Sequence, residues 1–232
     1  MQNTGFVSAR LNAKGEPTAS TGQRPVPWWS FTKTVLATAA LILVDQGRLI
    51  LDDPLPGHDF TLRHLLQHRS GLPDYGWIAA YQLAARNGQA PWSTEQIFDQ
   101  TKASQLLFAP GQGWRYSNIG YLRVRELIEE TAGQTLDSAL KTLIFDALAR
   151  SSVRIAATVE DLDGTEWGNP LKYDPGWFYH GLLLGTAKDA ARFLHHLITG
   201  AMISAEVRTQ MLSHIRSTAS CQAGHGSKPA MA

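Results

Sequence analysis

Between residues 31 and 46 the apolar side chains Val35, Leu36, Ala39, Ala40, Leu43 and Val44 recur at helical spacing, and Gly47 supplies a stop. This predicts a helix buried in the core. Its longest apolar run, residues 35–44, is interrupted by Thr38 and halted beside Asp45, short of the roughly 20 residues needed to span a bilayer. The same period predicts helices over "TLRHLLQH" (61–68), near 78–87 and 94–104, and over "NIGYLRVRELIEETAG", where Ile119, Leu122, Leu127 and Ile128 mark the apolar side and Gly133 ends it. Three more follow in "TLDSALKTLIFDALA" behind a Thr135 cap, "TAKDAARFLHHLITG" and "SAEVRTQMLS". Short alternating segments around residues 12–15 predict a β-hairpin over 5–24. Residues 151–180, rich in Gly, Pro and aromatic side chains, read as irregular. From His214 onward neither period is present, so 214–232 reads as an irregular tail.

Composition narrows the function. With 232 residues and 44% hydrophobic content the chain can bury a real core. Its 21 Lys plus Arg against 20 Asp plus Glu give a net charge of +1, which supplies no field for nucleic acid or an anionic membrane. Small or neutral partners are expected. The single Cys221 has no mate for a disulfide and no CxxC neighbour. The start "MQNTGFVSARLNAKG" lacks the basic and apolar regions of an export signal. A cytoplasmic location is therefore the default, and a periplasmic one follows if a signal has been removed.

Candidate chemistry sits at the opening of the first long helix, in "PWWSFTK". Ser30 and Lys33 are three apart, so Lys33 lies one turn along the face that Ser30 begins. Ser30 reads as both a residue at the helix start, where it could cap, and a hydroxyl poised for acylation at the positive end of the helix dipole. A lysine desolvated against Trp28 and Trp29 has its pKa lowered, which lets its amine take a proton from Ser30. Ser138 and Lys141 repeat the spacing inside a helical pattern and read as surface. In "WRYSNIGY", Tyr116 and Asn118 flank Ser117 and would face one cleft: the tyrosine as a phenolate relaying protons, the Asn118 amide holding a substrate carbonyl or amide. His64 and His68 stand at i and i+4 without HExxH, and His195–His196 are adjacent, so these read as helix-cap and surface residues rather than metal ligands. Ser117 has Arg115 where the G-x-S-x-G elbow needs glycine.

"SFTK", "LILDDPL", "LRHLLQHRSGLPDY", "PGQGWRYSNIGYLRVRELIEETAGQTL" and "GLLLGTAKDAARFLHHLITG", in that order over residues 25–212, resemble the serine β-lactamase family. The branch they resemble is the class C β-lactamase-like one, with its D-Ala-D-Ala peptidases and family VIII esterases. The resemblance implies an α+β, transpeptidase-like fold: one domain over 1–213, with a helical lobe at about 55–185 and the hairpin in an antiparallel sheet. It implies Ser30 as the acylated nucleophile, Lys33 as general base, Tyr116 and Asn118 as the second motif, and the Ser30 N–H as one oxyanion donor. It implies hydrolysis of an ester, amide or β-lactam with no cofactor and no metal. Loops 73–93 and 151–180 would set specificity. The alternative is a family remnant that is acylated without turnover.

The family's third motif is the point of departure. Gly224-His225-Gly226-Ser227 is the nearest string, with His225 as the candidate substrate-binding residue, but no strand pattern carries it. The expectation is a truncated or frame-altered chain whose sheet is reduced to about the hairpin, leaving the 31–46 helix with an uncovered apolar face that would invite homo-oligomers.

Overall fold

The computed structural model describes residues 6–148 and 151–212. A hairpin of β1 (Ser8–Leu11) and β2 (Pro17–Thr21) opens the fold, antiparallel with an irregularity between Arg10 and Leu11. Its turn is built as the sequence predicts: Asn12 Oδ1 accepts from the N–H groups of Lys14 and Glu16, and Gly15 takes a φ of 79°. His195 packs directly beneath Gly15, so this histidine seats the hairpin on a helix rather than facing solvent.

After β3 (Val26–Pro27) and a 3-10 turn at Trp29–Phe31 comes α1 (Thr32–Asp45). Residues 35–43 of α1 are all buried, and α1 packs against α5 (Asn118–Ala132), with α6 (Leu136–Leu143) on its flank. Between them lie α2 (Leu62–Leu66), which leans on α5, then α3 (Ala79–Arg86) and α4 (Thr94–Thr101). Ser117 caps α5 by accepting from Gly120 N–H at 2.9 Å, and Gly133 ends it in the left-handed region at φ 67°. The later elements are β4 (Arg154–Ile155), α7 (Val159–Asp163), β5 (Leu183–Gly185), α8 (Ala187–Thr199) and α9 (Ala205–Leu212).

Three expectations are corrected. Residues 151–180 hold β4, α7 and a 3-10 turn at Pro175–Trp177, and β4 and β3 pair antiparallel with a central β5 in a three-stranded sheet separate from the two-stranded hairpin, so strand pairing is not confined to the hairpin. The uncovered apolar face expected on α1 is not there: Leu36, Ala39, Ala40 and Leu43 are wholly buried. The helix-forming stretch after Thr135 also stops early, at Leu143, before a 3-10 turn at Phe145–Ala147. The tail with Cys221 and His225 lies outside the described residues.

Candidate active site

Ser30 occupies the 3-10 turn ahead of α1, entered through Trp29 at φ 41°. A bulky residue in the left-handed region is strained by roughly 1–3 kcal/mol, and such strain concentrates at functional sites. The turn leaves Ser30 exposed and gives its hydroxyl no capping role. Ser30 Oγ instead hydrogen-bonds the Tyr116 hydroxyl at 2.9 Å. Ser30 thus stands at the start of the helix without a capping bond from its side chain.

Tyr116 reaches Ser30 because of its neighbours. Ser117 turns inward, its hydroxyl donating to Pro73 C=O at 2.6 Å, and its N–H donates to His68 Nδ1 at 3.1 Å. The His68 ring lies 4.5 Å from that of Tyr116 and 5.1 Å from that of Tyr121. The loop before these residues is held by Gly71, where a Cβ would stand 2.2 Å from Phe108 C=O. Asp74 in the same loop accepts from Asn118 N–H at 2.8 Å and from Gly76 N–H at 3.2 Å.

Lys33 is only 5% exposed. Its amine lies over the rings of Tyr116 and Tyr121, 5.1 and 5.7 Å from their centroids, and within 3.0 Å of His180 Nε2. Burial pushes this amine down to about 7, with Asp74 pulling the other way. The desolvation of Lys33 comes with its burial beside these rings. Trp28 bonds Gly185 C=O and packs edge-on to Phe31, while Trp29 lies against Phe178 and Tyr173.

Burial raises the Tyr116 phenol above its ordinary value, against the lowering effect of its bond to Ser30. The upward shift favours the protonated phenol, and either hydroxyl can be the donor in the one bond that Tyr116 shares with Ser30. His68 is pushed down to about 4 by burial and by the Lys33 charge, and is neutral. A cleft of about 370 Å³ is lined by Ser30, Lys33, His68, Tyr116 and Tyr121, by the apolar Ala37, Leu41, Leu51 and Met211, and by the polar Arg63, Gln67 and Gln210.

The structure thus brings Ser30, Lys33 and Tyr116 together. Asn118 stands at the first turn of α5 with its amide near Gly76, and is not part of the cleft wall. Ser138 and Lys141 are separate surface groups: Ser138 N–H and hydroxyl meet Thr135, and Lys141 pairs with Asp146. His64 and His68 spend their Nδ1 atoms on the N–H groups of Thr61 and Ser117. Sequence reading missed His180 and Asp74. The signal for His180 was an imidazole beside Tyr179 inside the largely apolar "WFYHGLLL".

A profile of the beta-lactamase family, described as "Beta-lactamase", matches residues 4–228. The chain is 32% identical over 142 residues to Penicillin-binding protein 4* of Bacillus subtilis, covering 54% of this chain and 29% of that protein. It is 32% identical over 139 residues to Esterase EstB of Burkholderia gladioli, covering 51% and 35%. The chain thus spans about a third of the length of these two relatives. Among solved structures, a D-stereospecific amidohydrolase from Streptomyces sp. superposes with a TM-score of 0.73 at 23% identity, over 90% of this chain and 72% of that one. At that identity the likeness shows a shared fold: a helical lobe with a small antiparallel sheet.

Proposed function

The chain belongs to the beta-lactamase family, and from that premise we propose that it is a serine hydrolase acylated at Ser30 by an ester, amide or lactam carbonyl. The observation that carries this is the 2.9 Å bond between Ser30 Oγ and Tyr116 OH beside the buried amine of Lys33. With its pKa near 7, a large share of that amine is unprotonated at neutral pH. Ser30 Oγ attacks the carbonyl carbon while its proton passes to Lys33, directly or through the Tyr116 hydroxyl. The carbonyl oxygen takes up negative charge, which the Ser30 N–H would stabilise. Collapse breaks the bond to the alcohol or amine, which leaves with the proton held by Lys33, and an ester on Ser30 remains. Water then repeats the sequence, giving the acid and restoring the serine.

Asn118 enters this scheme as a substrate-binding group only if its amide turns from Gly76 into the cleft. The names of the relatives, a penicillin-binding protein and an esterase, support an acyl carbonyl as the substrate class. The test is intact mass after mixing with a short-chain p-nitrophenyl ester and with a penicillin, beside a Ser30→Ala variant. An adduct that needs Ser30 and decays with release of acid is expected. A Ser30 adduct that persists would make the chain a trapped acyl-enzyme, and adducts equal in both proteins would contradict the assignment.

A further inference from the structure

His180 lies in the short link between the Pro175–Trp177 turn and β5 and is wholly buried. Two bonds at Leu183, where this link enters β5, hold it against the start of α1 and the turn before it: Trp28 N–H donates to Leu183 C=O at 2.8 Å, and Leu183 N–H donates to the Thr32 side-chain Oγ1 at 3.1 Å. Between these anchors and the turn closed by Gly181 N–H on Phe178 C=O, the His180 ring is aimed at Lys33, with Nε2 3.0 Å from Nζ. Its Nδ1 has no hydrogen-bond partner among the described residues. His64 and His68 behave differently, each receiving a backbone N–H at Nδ1. A histidine kept only for structure would be tied to the backbone as those two are, whereas the one hydrogen bond of the His180 ring goes to the candidate base.

We infer that His180 is a positioning residue whose Nε2 accepts a hydrogen from the Lys33 amine and turns the remaining lone pair toward the Ser30–Tyr116 pair. A neutral amine has two hydrogens and one lone pair. Giving one hydrogen to His180 fixes the rotation of the group about Cε–Nζ, and an orientation fixed in advance raises the rate of proton transfer. Acceptance by Nε2 requires a neutral ring with its proton on Nδ1. Burial first, then the charges of Lys33, Arg125 and His68, hold His180 well below the ordinary histidine value, so the ring is neutral. The groups facing this pair are Tyr116 just ahead of α5, Tyr121 and Arg125 on α5, His68 after α2, and Asp74 from the following loop. The inference rests on Lys33 acting as the base for Ser30.

Two readouts separate it from that premise. Lys33 is titrated by NMR on protein carrying 13Cε-lysine, with the signal assigned through Lys33→Arg, in wild type, His180→Leu and His180→Gln. The Gln amide oxygen replaces Nε2 as acceptor, while Leu removes it. An acceptor favours the ammonium form, so the Lys33 midpoint should move to lower pH in the Leu variant and return in the Gln variant. In the same samples, labelling of Ser30 by a fluorophosphonate should fall about tenfold to a hundredfold in the Leu variant and recover with Gln. Where His180→Leu lacks a cooperative thermal transition, His180→Asn, whose amide reaches only the Nδ1 position, takes its place. An unmoved Lys33 midpoint, or a moved midpoint with wild-type labelling, overturns the inference. A moved midpoint with no labelling of wild type leaves the His180–Lys33 link standing and removes the acylation reading instead.

Discussion

Burial of Lys33 places a cost on the fold. In the unfolded chain its amine titrates near 10.5 and in the folded chain near 7, so between these values the unfolded state binds more protons. Stability contributed at this position therefore rises as pH climbs from 7 to 10.5 and is lowest at and below 7. Lys33→Met should be more stable than wild type by a few kcal/mol at pH 6, order of magnitude, with the gap closing toward pH 10. Urea unfolding of both proteins at pH 6 and pH 9.5 measures this, and a gap independent of pH would refute it. Tyr116→Phe keeps the ring over Lys33 and removes only the hydroxyl on Ser30. Its Ser30 labelling rate should fall about a hundredfold while the acid limb stays near pH 7. Ser30, Lys33 and Tyr116 could be singled out in the sequence through the ordered segments that resemble one family, since the Ser-x-x-Lys spacing alone recurs at Ser138 and Lys141. His180 could not, since the contact that singles it out spans 147 positions of chain.

At the scale of elements, the helices α1, α5 and α8 could be read because each runs for more than three turns, α5 and α8 with an apolar side and α1 with a nearly unbroken apolar run. Strands β3, β4 and β5 could not: two or three residues are too few to display an alternation. Their pairing is a product of tertiary structure, and the link from β4 toward α8 runs through one carboxylate. Asp189, 5% exposed, accepts from Thr186 N–H at 3.0 Å, Thr186 Oγ1 at 2.7 Å and Ser152 Oγ at 3.1 Å. Asp189→Ala strands these donors and should cost about 1–3 kcal/mol. Thermal denaturation against wild type tests this, and a loss within a few tenths of a kcal/mol would show that the three bonds are made equally well to water.

For the whole molecule, the layout of five short strands and nine helices among the described residues leaves α1 enclosed by the chain's own elements. The physical reason for expecting association, a bare face on that helix, is thereby gone. Sedimentation at micromolar concentration should show the 25.5 kDa monomer, and a concentration-dependent dimer would direct attention to exposed residues such as Trp77. Among the described residues no helix is long and apolar enough to cross a membrane. What the molecule presents to solvent at its cleft is one serine, hydrogen-bonded to a phenol and backed by a buried amine. Reaction with a fluorophosphonate followed by peptide mapping tests that claim most directly. The account predicts a single phosphonyl group on Ser30, with a labelling rate that rises through pH 7. Labelling at another serine, or none in a protein shown to be folded, would contradict it.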